Sequence, residues 1–364
     1  MSSPLVVNGI VRGVSETETG RIVRQTFERA TDGCAWLRRG DTVLLKVSLN
    51  SPDPYPATTS PIAVRAVAEA LQERGARVIV GDMPGIEYVL LDPRGSQRQS
   101  ARSCFERSGM AAGVKGTFIG FEERGWDGFF HFSSQAATSW PEGFHATSLI
   151  REVDHIVALP RLSTHIHTGV TLGFKLAVGY LRADSRMTFH RDGPFFAATK
   201  RYVHGTQVPT HGPRHNRFFE KITEINLAVA DRQRLTLCLG TQAQVTFGPD
   251  RRMVGFTSCK VVPEMGLVFA SANPVAFEVM GIAFLTMLYR QAPWLARCLQ
   301  KTLMLANRCA RELGKDSAWT NPFVRHALAI GLGTTEFDLQ YSDVPEALRG
   351  EIDKLIAAGR PQRA

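Results

Sequence analysis

His165, His167 and Lys175 are the side chains whose types and spacing best suit chemistry. They fall in the stretch 160–182, PRLSTHIHTGVTLGFKLAVGYLR. An imidazole changes charge near neutral pH, so it can move a proton or bind a metal. A nearby ammonium can hold an anion and depress the imidazole pKa. Such a set suits acid–base work on a small carboxylate, where one positioned histidine contributes ~10²–10⁴ in rate. His190 follows as a further catalytic candidate. His165, His167 and His190 are also the candidate ligands for a divalent metal, although a His-x-His pair has no third ligand beside it.

Pattern and punctuation suggest the elements that position these groups. Residues 154–160 (DHIVALP) read as a buried strand ending at a proline, and Gly169–Leu181 as the helix after it. At ~100° per residue, Thr168, Thr171, Lys175 and Arg182 would share one helix face, with Thr168 as cap. Ligands in parallel α/β sheets bind beyond the carboxyl ends of strands, where helix N-termini attract anions. A second such place is the end of the strand DTVLLKVSLN and the start of the helix PIAVRAVAEALQERG. There Lys46, Asn50, Thr58, Thr59 and Ser60 cluster, with Ser60 capping a helix whose first residue is Pro61. Val43–Leu49 and Val78–Gly81 are expected to be adjacent parallel strands joined by the helix Pro61–Arg74, and Thr58–Ser60 to face His165 across one crevice. Asp82 closes the second strand as a turn residue, a base or a metal ligand. Residues 97–110 read as a helix with Arg94, Arg98 and Arg102 on a solvated side. The loop HGTQVPTHGPRH, with His204, His211 and His215, reads as a lid or metal-binding surface.

Composition narrows the classes. The 364 residues are 44% hydrophobic and 21% charged, which is ordinary for a globular protein. Lys and Arg exceed Asp and Glu by nine, which suits an anionic partner. A small anionic metabolite fits best, because the arginines are scattered rather than gathered as nucleic-acid binding requires. The six cysteines show no CxxC spacing, so they encode no iron–sulfur cluster. The N-terminus does not read as a signal peptide, and the expected setting is cytoplasmic. The apolar run Val275–Tyr289 is shorter than the ~20 residues needed to span a bilayer and reads as a buried helix. The basic, amphipathic stretch from Gln291 leaves peripheral membrane contact open. Walker A, GxSxG, HExxH and GxGxxG motifs are absent.

Six stretches, taken together, resemble the domain of unknown function 362 family over roughly 43–333. They are LLKVSLNSPDPYPATTSP, RVIVGDMPG, ALPRLSTHIHTGVTLGFKLAVGYL, KITEIN, FASANPVAFEVMG and GLGT. The resemblance implies an α/β core over 41–275, with an N-terminal extension (1–40) before it and a mainly helical region (276–364) packed on it. The core would hold a parallel or mixed sheet with flanking helices. Family members often carry ferredoxin-like cysteine clusters, which this chain lacks. It also departs from the family pattern at Leu176, Asn273 and Glu278, where Asn, Asp and Asp are usual, and near Leu239 and Gly240, where an aspartate is missing. A looser similarity is to the lactate racemase N-terminal domain. There a histidine, a cofactor-bearing lysine and a nickel-binding histidine succeed one another at intervals similar to His165, Lys175 and His190. The expected function is an enzyme acting on a small carboxylate-bearing metabolite by His/Lys acid–base or metal- or cofactor-assisted chemistry. Isomerase, lyase and oxidoreductase reactions remain open. A ligand-binding or electron-transfer accessory protein and a membrane-surface adaptor are the alternatives.

Overall fold

The structure is a computed structural model describing residues 3–194, 196–210, 213–248, 259–303, 305 and 317–361. Its centre is an eight-stranded mixed sheet. The strand order is Phe337–Ser342, Ser3–Val11, Met265–Ser271, Gln233–Gly240, His155–Leu159, Thr42–Val47, Arg77–Asp82 and Thr117–Gly120. The last five run parallel to one another, and Met265–Ser271 is antiparallel to both its neighbours.

The expected strand–helix–strand unit is present. Val43 pairs with Val78 and Lys46 with Gly81 in parallel register, and the helix Pro61–Glu73 makes the crossover. The strand alternation sorts the side chains. Val43, Leu45 and Val47 enter the core beneath the helices Glu16–Ala30 and Pro61–Glu73, while Leu44 enters the opposite core. With a period of two, Lys46 shares the Leu44 side, which is where the cavity opens. The helix Pro274–Gln291 fills that side, and every residue from Val275 to Tyr289 is buried. An all-round apolar helix of this kind is a core element. Among the described residues no helix is long and apolar enough to cross a membrane.

Several expectations change. Segments expected outside the α/β core contribute to its sheet, because Ser3–Val11 pairs with Met265–Ser271 and Phe337–Ser342 with Ser3–Val11. Residues 97–110 hold a shorter helix, Ala101–Arg107, after the hairpin strand Gly95–Arg98. Arg94, Arg98 and Arg102 are exposed as expected, but only Arg102 lies on the helix, and Arg98 donates to the carbonyls of Ile86 and Tyr202. The basic stretch after Gln291 forms the helix Trp294–Leu303, on which Trp294 and Leu295 are exposed. Its continuation at 304 and 306–316 lies outside the described residues, as does His211 of the histidine-rich loop.

Candidate active site

The continuous helix expected over Gly169–Leu181 is not formed. Ser163–His165 and Gly169–Thr171 are instead two antiparallel strands of a small sheet. A one-turn helix, Gly173–Leu176, and a 3-10 turn, Ala177–Tyr180, follow. The local cause is the turn at 165–169. His165 Nδ1 accepts from the backbone N–H groups of His167 (3.0 Å) and Thr168 (3.4 Å), so these amides are spent on a side chain. Gly169 then takes φ +79°, which glycine adopts without strain. Thr168 caps no helix, since its hydroxyl donates to the Val170 carbonyl at 2.8 Å.

A cavity of about 110 Å³ opens beyond the carboxyl ends of the central parallel strands. Ser48 and Asn50 line it after the first strand, Asp82 through Glu87 after the second, and His165, His167, Thr171 and Lys175 after the third. Arg186 and His190, one helical turn apart on Ala183–Asp192, join the polar wall with Thr199 and Tyr202, while Leu176 and Val178 supply apolar surface. The space is well below the ~300–1,000 Å³ of pockets that take drug-sized ligands. It suits a metabolite of a few heavy atoms.

The other residues singled out from the sequence lie elsewhere. Thr58 donates to the Asp53 carbonyl (3.1 Å), and Thr59 donates to Leu159 (2.5 Å) while accepting from Ser48 N–H (2.8 Å). Ser60 precedes its helix without a side-chain capping bond. Thr58 and Thr59 thus brace the loop, and none of the three lines the cavity with His165 as expected. Arg182 holds Asp184 through two bonds (3.0 and 2.8 Å) and stacks over Trp126, away from the cavity. The arginine that does reach the cavity, Arg186, escaped sequence reading because the helix boundary was misplaced. Its guanidinium donates to the carbonyls of Leu181, Met83, Pro84 and Gly179. It therefore contributes positive potential more than open donors.

Lys46 supports the site from beneath. Fully buried, it binds Asp82 Oδ1 (2.7 Å) and the carbonyls of Val47 (2.8 Å) and Leu176 (3.1 Å). Those three bonds use all its donors. Asp82 also accepts from Leu49 N–H and Met83 N–H, both at 2.7–2.8 Å, so it is a structural anion more than a turn residue. Gly179 is the glycine this pair requires, because a Cβ there would lie 2.0 Å from Asp82 Oδ1.

The departures at Asn273 and Glu278 have structural roles. Asn273 caps Pro274–Gln291 through Val275 N–H (3.1 Å) and donates to the Thr334 carbonyl (2.9 Å). Glu278, fully buried, accepts from Phe174 N–H (3.2 Å) at the start of the turn that carries Lys175. Burial pushes its carboxyl up to about 8, against the lowering effect of those backbone bonds.

Hydrogen bonding assigns the imidazole tautomers. Because His165 Nδ1 accepts two N–H bonds, its proton sits on Nε2. His190 is the reverse: Nδ1 faces the Arg186 carbonyl at 2.8 Å and must donate, leaving the Nε2 lone pair open. The rings form a row, with centroids 5.6 Å apart for His165–His167 and 5.9 Å for His167–His190. Burial first, then Lys175 and His167, holds His165 well below the usual imidazole range. Burial first, then His167, does the same to His190. Burial and Lys175 bring His167 down to about 4, against a hydrogen bond with the Pro194 backbone. All three are neutral at pH 7.

Lys175 is partly buried and, among the described residues, makes no hydrogen bond or ion pair. Burial, then Arg186 and Arg161, draws its ammonium down to about 7, with Glu87 and Asp82 opposing only through space.

The residues do not fit a metal centre built from the three histidines. The proton on His165 Nε2 blocks that nitrogen as a ligand, and no group of three or more His, Cys, Asp or Glu among the described residues is disposed to hold a metal ion. The described cysteines are free thiols.

No curated protein matches the sequence. Among solved structures, the lactate racemase apoprotein from Thermoanaerobacterium thermosaccharolyticum is similar at a TM-score of 0.44 and 14% identity. The match covers 78% of this chain and spans 57% of the length of that one. The model of the domain of unknown function family DUF362 matches residues 43–283, about two thirds of the sequence, and the chain belongs to that family.

Proposed function

We propose that the protein is an enzyme that binds a small carboxylate in this cavity and performs acid–base chemistry beside it. The observation that carries the reading is Lys175: an uncommitted cationic side chain in a cavity of about 110 Å³ that is also lined by a neutral imidazole able to donate and one able to accept. A carboxylate entering there gives Lys175 the counter-charge it lacks and meets the His165 Nε2–H. The same anion offsets the positive potential of Lys175, Arg186 and Arg161. It therefore raises the basicity of His190, whose Nε2 then takes a proton from the substrate.

A panel of two- to five-carbon carboxylates and their amides, scored by thermal shift and by exchange of carbon-bound hydrogen in D2O, tests this. Carboxylates should stabilise the protein and the amides should not, with exchange lost in His190→Asn. Equal shifts from acids and amides would overturn the reading.

A further inference from the structure

We infer that Lys175 is a nucleophile that forms an imine with the carbonyl carbon of a small 2-oxo carboxylate, a step that rests on the carboxylate reading of the same cavity. Among the described residues three lysines are buried or partly buried, and their environments differ. Lys46 spends all three donors on Asp82 and two carbonyls. Lys221 pairs with Asp192 at 2.9 Å and sits over the Trp140 ring. Only Lys175 of the three keeps its amine uncommitted, and it does so at the wall of a cavity. A structural ammonium is tied down; a nucleophile must present its lone pair to open space.

The charges around Lys175 point the same way. Arg186 and Arg161 each disfavour its protonated form more than Glu87 or Asp82 favours it. At about 7, roughly half of the amine is free base at neutral pH, against about one part in a few thousand for an ordinary lysine. The neighbours supply the remaining parts. His165 and His190 line the same cavity, so the Nε2–H of the first would polarise the carbonyl oxygen and the Nε2 of the second would relay protons.

Attack by the lysine nitrogen on the carbonyl carbon gives a carbinolamine. The two amine hydrogens leave with the carbonyl oxygen as one water, relayed through His190, and a C=N bond replaces the C=O bond. Uptake of one proton makes the iminium, which restores the cation next to the substrate carboxylate. No oxidant or reductant is needed. The iminium then acts as an electron sink for cleavage or proton transfer at the adjacent carbons, which narrows the substrate class to 2-oxo acids.

The test is reductive trapping. The full chain is incubated with pyruvate at pH 7, treated with sodium borohydride, and mapped by peptide mass spectrometry. A near-stoichiometric reduced adduct on Lys175 is expected, absent from Lys175→Arg and suppressed in the unaltered protein by propionate, which has no carbonyl. Adduct scattered over surface lysines, or unaffected by propionate and by the substitution, overturns the proposal. Thermal shift by pyruvate with no adduct at Lys175 also overturns it, while leaving the carboxylate pocket standing. Trapping of acetone at Lys175 as readily as pyruvate, with no propionate protection, upholds the imine and removes the carboxylate reading.

Discussion

Replacing Lys175 with methionine should stabilise the protein at neutral and mildly acidic pH while abolishing ligand binding. The folded protein holds this ammonium at about 7, whereas the unfolded chain holds it at the ordinary 10.5. A pKa depressed by folding means that the unfolded state binds more protons between those two values. Stability therefore rises with pH through that window, and the cost is fully present below pH 7. At ~1.4 kcal/mol per pH unit, the ammonium costs folding on the order of 4–5 kcal/mol at pH 6, falling to about 2 kcal/mol at pH 9. Methionine nearly matches the lysine in length and carries no charge, so the variant escapes this cost. Urea unfolding of both proteins at pH 6 and pH 9 isolates the effect, because any change in packing is the same at both pH values. The three cavity histidines are held low in the folded state and take up protons on unfolding near pH 6, a contribution shared by both proteins that cancels in the difference between them. The gain from methionine should shrink by roughly 2–3 kcal/mol between pH 6 and pH 9. A gain independent of pH, or a loss at pH 6, would refute the electrostatic reasoning.

His165→Asn keeps an acceptor near the Nδ1 position for the His167 and Thr168 amides but removes the Nε2 donor. Its stability by urea unfolding should stay close to that of the unaltered protein while activity is lost; His165→Ala should also lose about 1–3 kcal/mol from the orphaned amides. Asp82→Asn strands the Lys46 ammonium and should cost about 3–5 kcal/mol, part of which Lys46→Met returns in the double variant. Glu278 is raised by folding to about 8, so its contribution is present below pH 4.5 and is lost as pH rises toward 8. Glu278→Gln should match the unaltered protein at pH 4.5 and exceed it by a few kcal/mol at pH 8, measured by the same unfolding curves.

The parallel crossover was legible because its signals are local: a strand-length apolar run, a proline at the first helical position and a glycine stop all lie within 42–82. His165, His167, Thr171, Lys175 and Asn50 were placed in one neighbourhood because they follow strand ends, and they do line one cavity, together with His190. The helical wheel over Gly169–Leu181 misled for a physical reason. It assumed free backbone amides, and His165 Nδ1 takes two of them to make a turn. Once that helix is broken, Thr168 and Arg182 no longer share a face with Lys175, and Arg186 reaches the cavity in place of Arg182. Lys46 was read as a cation open to ligand, but its partner Asp82 lies one strand over, next to its register partner Gly81. Sequence spacing cannot show that neutralisation. The edge strand Phe337–Ser342 was missed because its partner, Ser3–Val11, is more than three hundred residues away.

The most direct measurement is the titration of the Lys175 side-chain nitrogen by 15N NMR, assigned by its loss in Lys175→Met, with and without propionate. The account predicts a midpoint near 7 that moves upward when propionate binds, because the carboxylate supplies the missing counter-charge. A midpoint near 10.5, unmoved by propionate, would contradict the claim that this lysine is the anion-receiving group of the cavity.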